Sequence, residues 1–144
     1  MNLFGMMEMS GSALGAERQR AEVVASNMAN AQTTHTATGG PYRRQMVIFQ
    51  AQRVPRFSLA LAGFHRETSS AVRVAAVVAD TRSPVLRFEP GHPDADKQGY
   101  VAYPQVDPIE EMTDLLGAVR GYELNASAVQ ATKGMITQSL DLLR

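Results

Sequence analysis

One histidine and two aspartates lie close together in a turn-rich stretch of the chain, at His92, Asp94 and Asp96. Neutral imidazole and carboxylate groups are metal ligands, so one hypothesis is a metal-dependent hydrolase centred on these residues. The spacing also imitates the start of a calcium-binding loop. However, Gln105 stands where such a loop carries its bidentate glutamate. We therefore expect the aspartates to cap turns and predict no metal site.

Other catalytic groups are isolated in the sequence. His35 and His65 have no neighbouring acid or nucleophile with which to form a proton relay. The chain contains no cysteine, which excludes thiol catalysis, disulfide bonds and thiolate metal sites. The glycine-rich motifs that cradle nucleotide phosphates do not occur. We expect a protein that is not an enzyme and that uses no cofactor.

The composition limits the remaining function classes. The 144 residues include 14 basic and 14 acidic side chains, and this zero net charge disfavours a general attraction to nucleic acid. Leu, Ile, Val and Phe together make up only about a fifth of the chain, so the core that one chain can build is thin. No apolar run reaches the length of about 18 residues that a membrane-spanning helix needs. We expect neither nucleic-acid binding nor lipid insertion.

The clearest structural signal is a long C-terminal helix, predicted over residues 108–143. Asp107 can accept hydrogen bonds from the first-turn amides, Pro108 fits the first helical position, and Glu110 completes a capping pattern. Apolar residues follow at intervals of three or four, with one gap filled by Lys133. This apolar stripe consists of Met112, Leu116, Val119, Tyr122, Ala126, Val129, Ile136 and Leu140. A stripe of this length is expected to pack against a second long helix.

The second helix is predicted at the N-terminus, over residues 5–30. Its apolar row includes Leu14, Ala21, Val24 and Met28. Two asparagines, Asn27 and Asn30, lie on or beside this row near its end.

Between the helices the pattern changes to short β-like runs separated by Pro and Gly. The predicted strands are Tyr42–Gln52, Ala71–Ala79, Val85–Phe88 and Tyr100–Tyr103, with a mobile loop over residues 53–70. The fold class is therefore α+β, in which two long terminal helices form a coiled-coil-like pair and a small β-rich module is inserted between them. The expected units are 1–36 and 105–144, which form the helical core, and 37–104, which form the β-rich module.

Several motifs resemble the bacterial flagellar axial proteins, which are the rod, hook and hook-associated subunits. The N-terminal helix carries the segment Ala-Ser-Asn-Met-Ala-Asn-Ala at 25–31, and the C-terminal helix carries Tyr-Glu-Leu-Asn-Ala at 122–126. The turn Pro-Gly-His-Pro-Asp at 90–94 and the strand Gly-Tyr-Val-Ala-Tyr-Pro at 99–104 are similar to those of a proximal-rod member of this family.

The resemblance implies a structural subunit of the proximal rod of the flagellar basal body. Its terminal helices would build an axial drive-shaft that transmits torque and forms the wall of the export channel. The implied partners are copies of itself, other proximal and distal rod subunits, a rod-base adaptor and, in transit, the flagellar export apparatus. The implied location is the periplasm-spanning rod, reached by type III export. Residues 1–9 hold Glu8 and no basic residue, so we expect no cleavable signal peptide.

Asn27 and Asn30 have two interpretations under this resemblance. They either form hydrogen bonds that fix the register between neighbouring subunits, or they end the first helix. The alternatives to a proximal-rod subunit are another rod or hook protein, a helical adaptor outside the flagellum, and the hydrolase described above. The residues expected to pack between subunits are the apolar stripe together with Leu14, Ala21, Val24, Asn27, Met28 and Asn30.

Overall fold

The computed structural model describes residues 3–54 and 69–142, which form two helices and four strands. The elements in chain order are α1 (Leu3–Ala29), β1 (Gln45–Val54), β2 (Ser69–Ala79), β3 (Val85–Phe88), β4 (Tyr100–Tyr103) and α2 (Pro108–Asp141). The α+β fold class is confirmed. The two ends of the loop predicted at 53–70 belong instead to strands, because β1 ends at Val54 and β2 begins at Ser69. Residues 55–68 of the predicted loop lie outside the described residues.

Helix α2 begins where the sequence predicts. The Asp107 carboxylate accepts a hydrogen bond from the backbone N–H of Ile109 at 2.9 Å, and Pro108 occupies the first turn. Glu110 and Glu111 add negative charge to the first turn, where the helix dipole is positive. Helix α2 has 34 residues, whereas α1 has 27 residues. At a rise of about 1.5 Å per residue, α2 is therefore roughly 10 Å longer than α1.

The two helices pack against each other in antiparallel orientation. The amide of Asn27, near the end of α1, donates to Glu111 near the start of α2, and Arg20 pairs with Asp114. Farther along, the side chain of Glu17 lies over the bare backbone of Gly121. The residues that the helices bury are mostly small or polar, namely Ser10, Ala16, Val24 and Asn27 of α1 and Glu111, Ala118 and Thr132 of α2.

Strands β1 and β2 form an antiparallel ribbon that lies on α1. The register runs from Gln45 opposite Ala79 to Val54 opposite Ser69, with a bulge after Ile48. The backbone N–H of Val72 donates to the Ser12 hydroxyl at 3.0 Å, which ties the ribbon to the helix.

Strands β3 and β4 form a separate two-stranded sheet. Its connecting turn contains Gly99 at a φ of +83°. This value lies in the left-handed region that favours glycine. The Phe88 and Tyr100 rings meet edge to face at 5.4 Å, and Val101 is buried. The β-rich part of the chain is thus two small sheets, and this division was not predicted.

Candidate assembly site

The apolar stripe of α2 is largely exposed in the single chain. Met112 and Leu116 each keep 55% of their surface exposed, and Val119 and Tyr122 keep 43% and 44%. The next three members, Ala126, Val129 and Ile136, are half-buried. Helix α1 therefore covers only part of the stripe, and the first half of α2 presents its large apolar side chains to the outside.

The geometry of the helix explains this difference along the stripe. Buried Glu111 and Thr132 mark the face of α2 that packs on α1. Met112 and Leu116 follow Glu111 by one and five residues, so they lie about 100° and about 140° around the helix from it. Ile136 follows Thr132 by four residues, which places it only about 40° from that buried side chain. The first residues of the stripe therefore face away from α1, whereas those near the end of α2 lie closer to the face that packs on α1.

The last turn of α2 extends beyond its partner helix. Asn27 faces Glu111, and Glu17 faces Gly121, so continuing this register places Leu3 opposite about Met135. Leu140 then lies past the first described residue of α1, and it remains 60% exposed. A long apolar stripe that the described residues leave uncovered at two levels marks a surface for contact with other molecules.

A buried polar cluster joins α1, β1 and α2 at the other end of the helix pair. Asn27 is only 1% exposed and makes four hydrogen bonds. Its Nδ2 donates to the Gln45 carbonyl at 2.9 Å and to Glu111 Oε2 at 3.0 Å. Its Oδ1 accepts from the Tyr42 hydroxyl and from the Gln45 backbone N–H, each at 2.9 Å. The amide of Asn27 is thus fully used within its own chain.

Arg44, the residue just before β1, completes the cluster. Its Nε donates to Oε1 of the fully buried Glu111. Its Nη2 lies 3.7 Å from Glu110 and 3.6 Å from Asp114. Burial alone would lower the pKa of Arg44, but the hydrogen bond and charge of Glu111, with Glu110 and Asp114, raise it above its ordinary value. Removal of one partner from a buried pair of this kind typically costs about 3–5 kcal/mol.

An open groove of about 380 Å³ runs beside this cluster. It is lined by the polar residues Arg44 and Glu111 and by the apolar residues Val23, Met46 and Phe49. Met46 and Phe49 are exposed, so the groove adds apolar surface at the end of the helix pair opposite to Leu140.

The remaining predicted residues of α1 occupy several environments. Val24 is buried, whereas Leu14, Ala21 and Met28 are half-buried. Asn30 follows the end of α1, where its amide donates to the Ser26 carbonyl at 2.9 Å. These contacts place Asn30 at the termination of the helix and Asn27 in a cluster inside the subunit.

The histidine and aspartates of the 90–96 turn form hydrogen bonds within the turn region and to the segment after α1. Asp96 Oδ1 accepts from the backbone N–H groups of Gln98 and Tyr100, each at 2.8 Å. The Asp94 carboxylate accepts from the Thr34 hydroxyl at 2.7 Å, which ties the turn to the segment after α1. In the part of the chain that the structure describes, no group of three potential metal ligands comes together.

Sequence reasoning missed Arg44, Glu111 and Tyr42 as members of the buried cluster. The position of Glu111 gave no signal, because a charged residue outside the apolar stripe is ordinarily expected to face solvent. Nothing in the local sequence distinguishes Arg44 from its neighbour Arg43, which lies exposed.

A long antiparallel helix pair with an uncovered apolar stripe, with small sheets between its helices, is typical of a structural protein. Family comparisons agree with this class. Residues 7–34 match the family model described as "Flagella basal body rod protein". Residues 97–142 match the model described as "Flagellar basal body rod FlgEFG protein C-terminal".

Curated relatives narrow the class. The chain is 37% identical to the flagellar basal-body rod protein FlgC of Borreliella burgdorferi over 100% of this chain and 99% of the relative. It is 39% identical to FlgC of Bacillus subtilis, over 99% of each chain. It is 35% identical to FlgC of Salmonella typhimurium, over 99% of this chain and 98% of the relative. The chain belongs to the FlgC family of flagellar basal-body rod proteins.

Membership in this family settles the broad function. The chain is a structural subunit of the flagellar basal-body rod and not an enzyme, so the hydrolase and the adaptor outside the flagellum are both set aside. Neither helix, within the described residues, is both long and apolar enough to cross a membrane.

Proposed function

We propose that this chain is a subunit of the proximal rod, and that the apolar stripe of α2 is its main contact with neighbouring subunits. The half-exposed side chains of Met112, Leu116, Val119 and Tyr122 carry the proposal. Burial of such residues is the usual driving force for association, and a soluble monomer gains nothing by leaving them uncovered in a row. Residues of α1 that remain half-buried, such as Leu14, Ala21 and Met28, contribute at the edge of the same contact.

In the proposed assembly, each helix pair lies in an axial tube and the two small sheets face away from its centre. The stripe on one subunit and the surface that receives it on the next are different patches, so the contact is heterologous. Heterologous contacts that do not close into a ring generate an open helical structure. A tube of this kind would transmit torque along its axis and form the wall of an export channel.

The proposed neighbours are copies of this chain, other proximal and distal rod subunits and an adaptor at the base of the rod. The proposed location is the periplasmic rod, reached through the flagellar type III export apparatus without cleavage of a signal peptide. The family names of the relatives support the rod, whereas the export route rests on the resemblance alone.

Deletion of the gene, with complementation by the wild-type chain, tests the proposal. We expect the deletion strain to lack motility and to contain basal bodies that stop before the rod is complete, as seen by electron microscopy of purified particles. Complementation should restore complete rods that contain the tagged chain. Complete rods in the deletion strain would refute the assignment to the rod.

A further inference from the structure

The contact between α1 and α2 repeats with a period of seven residues. On α2, the residues that face α1 include Glu111, Ala118, Asn125 and Thr132, each seven positions after the previous one. Three of these are buried and Asn125 is half-buried. A seven-residue shift of one helix along the other, about 10.5 Å, would bring each of these positions opposite the place of its predecessor. Apart from Glu111, the side chains at these four positions are either small or hydrogen-bonded within α2.

Two polar side chains of α2 along this interface, Asn125 and Thr132, do not select a partner on α1, whereas Asp114 pairs with Arg20 of α1 at 3.1 Å. Asn125 donates to the Gly121 carbonyl at 2.8 Å, and Thr132 donates to the Ala128 carbonyl at 2.8 Å. Both hydrogen bonds stay within α2, so they survive any shift against α1. The small, buried Ala118 offers no shape that distinguishes one heptad from the next. The Arg20–Asp114 pair is partly exposed and an exposed ion pair contributes little, while Glu17 over Gly121 is a flexible side chain that can move aside. These contacts and the packing of Ala118 therefore specify the register of the pair only weakly.

Glu111 breaks this repetition. It is fully buried, and its two carboxylate oxygens are held by Asn27 of α1 and by Arg44, the residue just before β1. After a seven-residue shift, Ala118 would face Asn27, and Arg44 would lose its buried partner. An unpaired buried charge is strongly unfavourable, whereas a satisfied one specifies a unique arrangement.

We propose that Asn27, Glu111 and Arg44 are positioning residues that select a single register of the α1–α2 pair. The cluster acts inside one subunit and, through the register, sets where along the molecule the apolar stripe is presented. This role is separate from the proposed packing of the stripe, because it concerns the helix pair of the single chain.

Cysteine cross-linking can read the register directly, because the chain contains no cysteine of its own. A Cβ placed on Gly121 would lie 3.3 Å from Glu17 Cγ, so the pair Glu17→Cys and Gly121→Cys reports the observed register. The pair Glu17→Cys and Ala128→Cys reports a shift of seven residues. Both pairs would be tested in the purified full-length chain, under oxidising conditions, with helix content followed by circular dichroism.

In the otherwise unchanged chain, we expect the first pair to form a disulfide at least tenfold faster than the second. The background Asn27→Leu, Arg44→Met and Glu111→Leu replaces the cluster by apolar groups and should leave the chain helical. In this background the difference between the two pairs should fall to about threefold or less. The control Thr132→Val removes a buried hydroxyl from the same interface and should leave the tenfold preference unchanged.

A second background, Glu111→Gln, keeps the side-chain shape and therefore provides a test even if the triple variant does not fold. Glutamine can satisfy Asn27 or Arg44 but not both as an acceptor, so the shifted pair should form faster than in the Thr132→Val control. A shifted pair that stays at the control rate in every helical variant of the cluster would overturn the proposal.

Discussion

Replacement of Leu116 by aspartate should block rod assembly while it leaves the single chain folded. Leu116 lies near the centre of the uncovered half of the stripe and is 55% exposed, so the chain itself loses little contact by the change. The matched control is Leu124→Asp. Leu124 lies on the same helix, is 73% exposed and does not belong to the apolar stripe.

The size of the effect follows from the exposed fraction. Complete burial of a leucine side chain stabilises by about 1.5–3 kcal/mol, so about half of this, roughly 1–1.5 kcal/mol, is left for the contact with a neighbour. Burial of an unpaired carboxylate in that contact adds a penalty of several kcal/mol. A total above about 4 kcal/mol corresponds to a loss in affinity of roughly a thousandfold for each contact. In the free chain, both substitutions cost the lower helix propensity of aspartate, about 0.5 kcal/mol, and the part of the leucine that the chain itself covers, roughly 1 kcal/mol for Leu116 and about half of that for Leu124.

Three measurements separate assembly from folding. Thermal unfolding of the two purified variants, followed by circular dichroism, should give melting temperatures within a few degrees of each other. In a deletion strain, Leu124→Asp should restore swimming and complete rods, whereas Leu116→Asp should restore neither. Complete rods with Leu116→Asp, or an equal failure of both variants, would refute the assignment of the stripe to the contact between subunits.

Three further predictions concern the single chain. In Gly99→Ala, the Cβ would lie 2.9 Å from an aromatic carbon and the backbone would be held at a φ of +83°. This left-handed conformation should destabilise the β3–β4 sheet by about 2 kcal/mol, as seen by hydrogen exchange; Gly91→Ala, which meets no neighbouring atom, should be silent. A hydrogen bond to Glu89 raises the pKa of Tyr103, so its stabilising contribution is present below about pH 10 and is lost as the pH rises through the folded-state pKa. When the phenolate absorbance of the tyrosines is titrated with pH, the component that appears at the highest pH should therefore be missing in Tyr103→Phe. Asp107→Ala should destabilise α2 by about 1 kcal/mol in urea unfolding, with loss of the cap to Ile109.

The helices and strands could be predicted because their signals are local. The start of α2 depends on Asp107 and Pro108, which act within one turn of the helix. Strands β3 and β4 have the predicted ends, at Val85–Phe88 and Tyr100–Tyr103. Elements of this kind can be identified from periodicity and turn residues without knowledge of what packs on them.

The packing of the helices could not be predicted in the same way. The sequence suggests that a heptad stripe should face the partner helix, yet the structure buries Glu111 and Ala118 and leaves Met112 and Leu116 half-exposed. An apolar residue can be buried inside the chain or in a contact between chains. A single sequence does not say which apolar residues are buried in which of these two places. The partnership of Arg44 with Glu111 spans 67 positions, so no local pattern reports it.

The distribution of buried groups connects these observations. Within the described residues, the largest fully buried side chains are Glu111, Val101, Asn27 and Thr132, of which only one is apolar, while many large apolar side chains are exposed. A chain that folds for itself alone would reverse this pattern, because apolar burial is the main favourable contribution to folding. The arrangement is consistent for a rod subunit if its polar cluster fixes the internal geometry and its apolar surface is kept for neighbours. The free energy missing from the single chain would then be supplied by assembly, so stability of the fold and growth of the rod would depend on the same side chains.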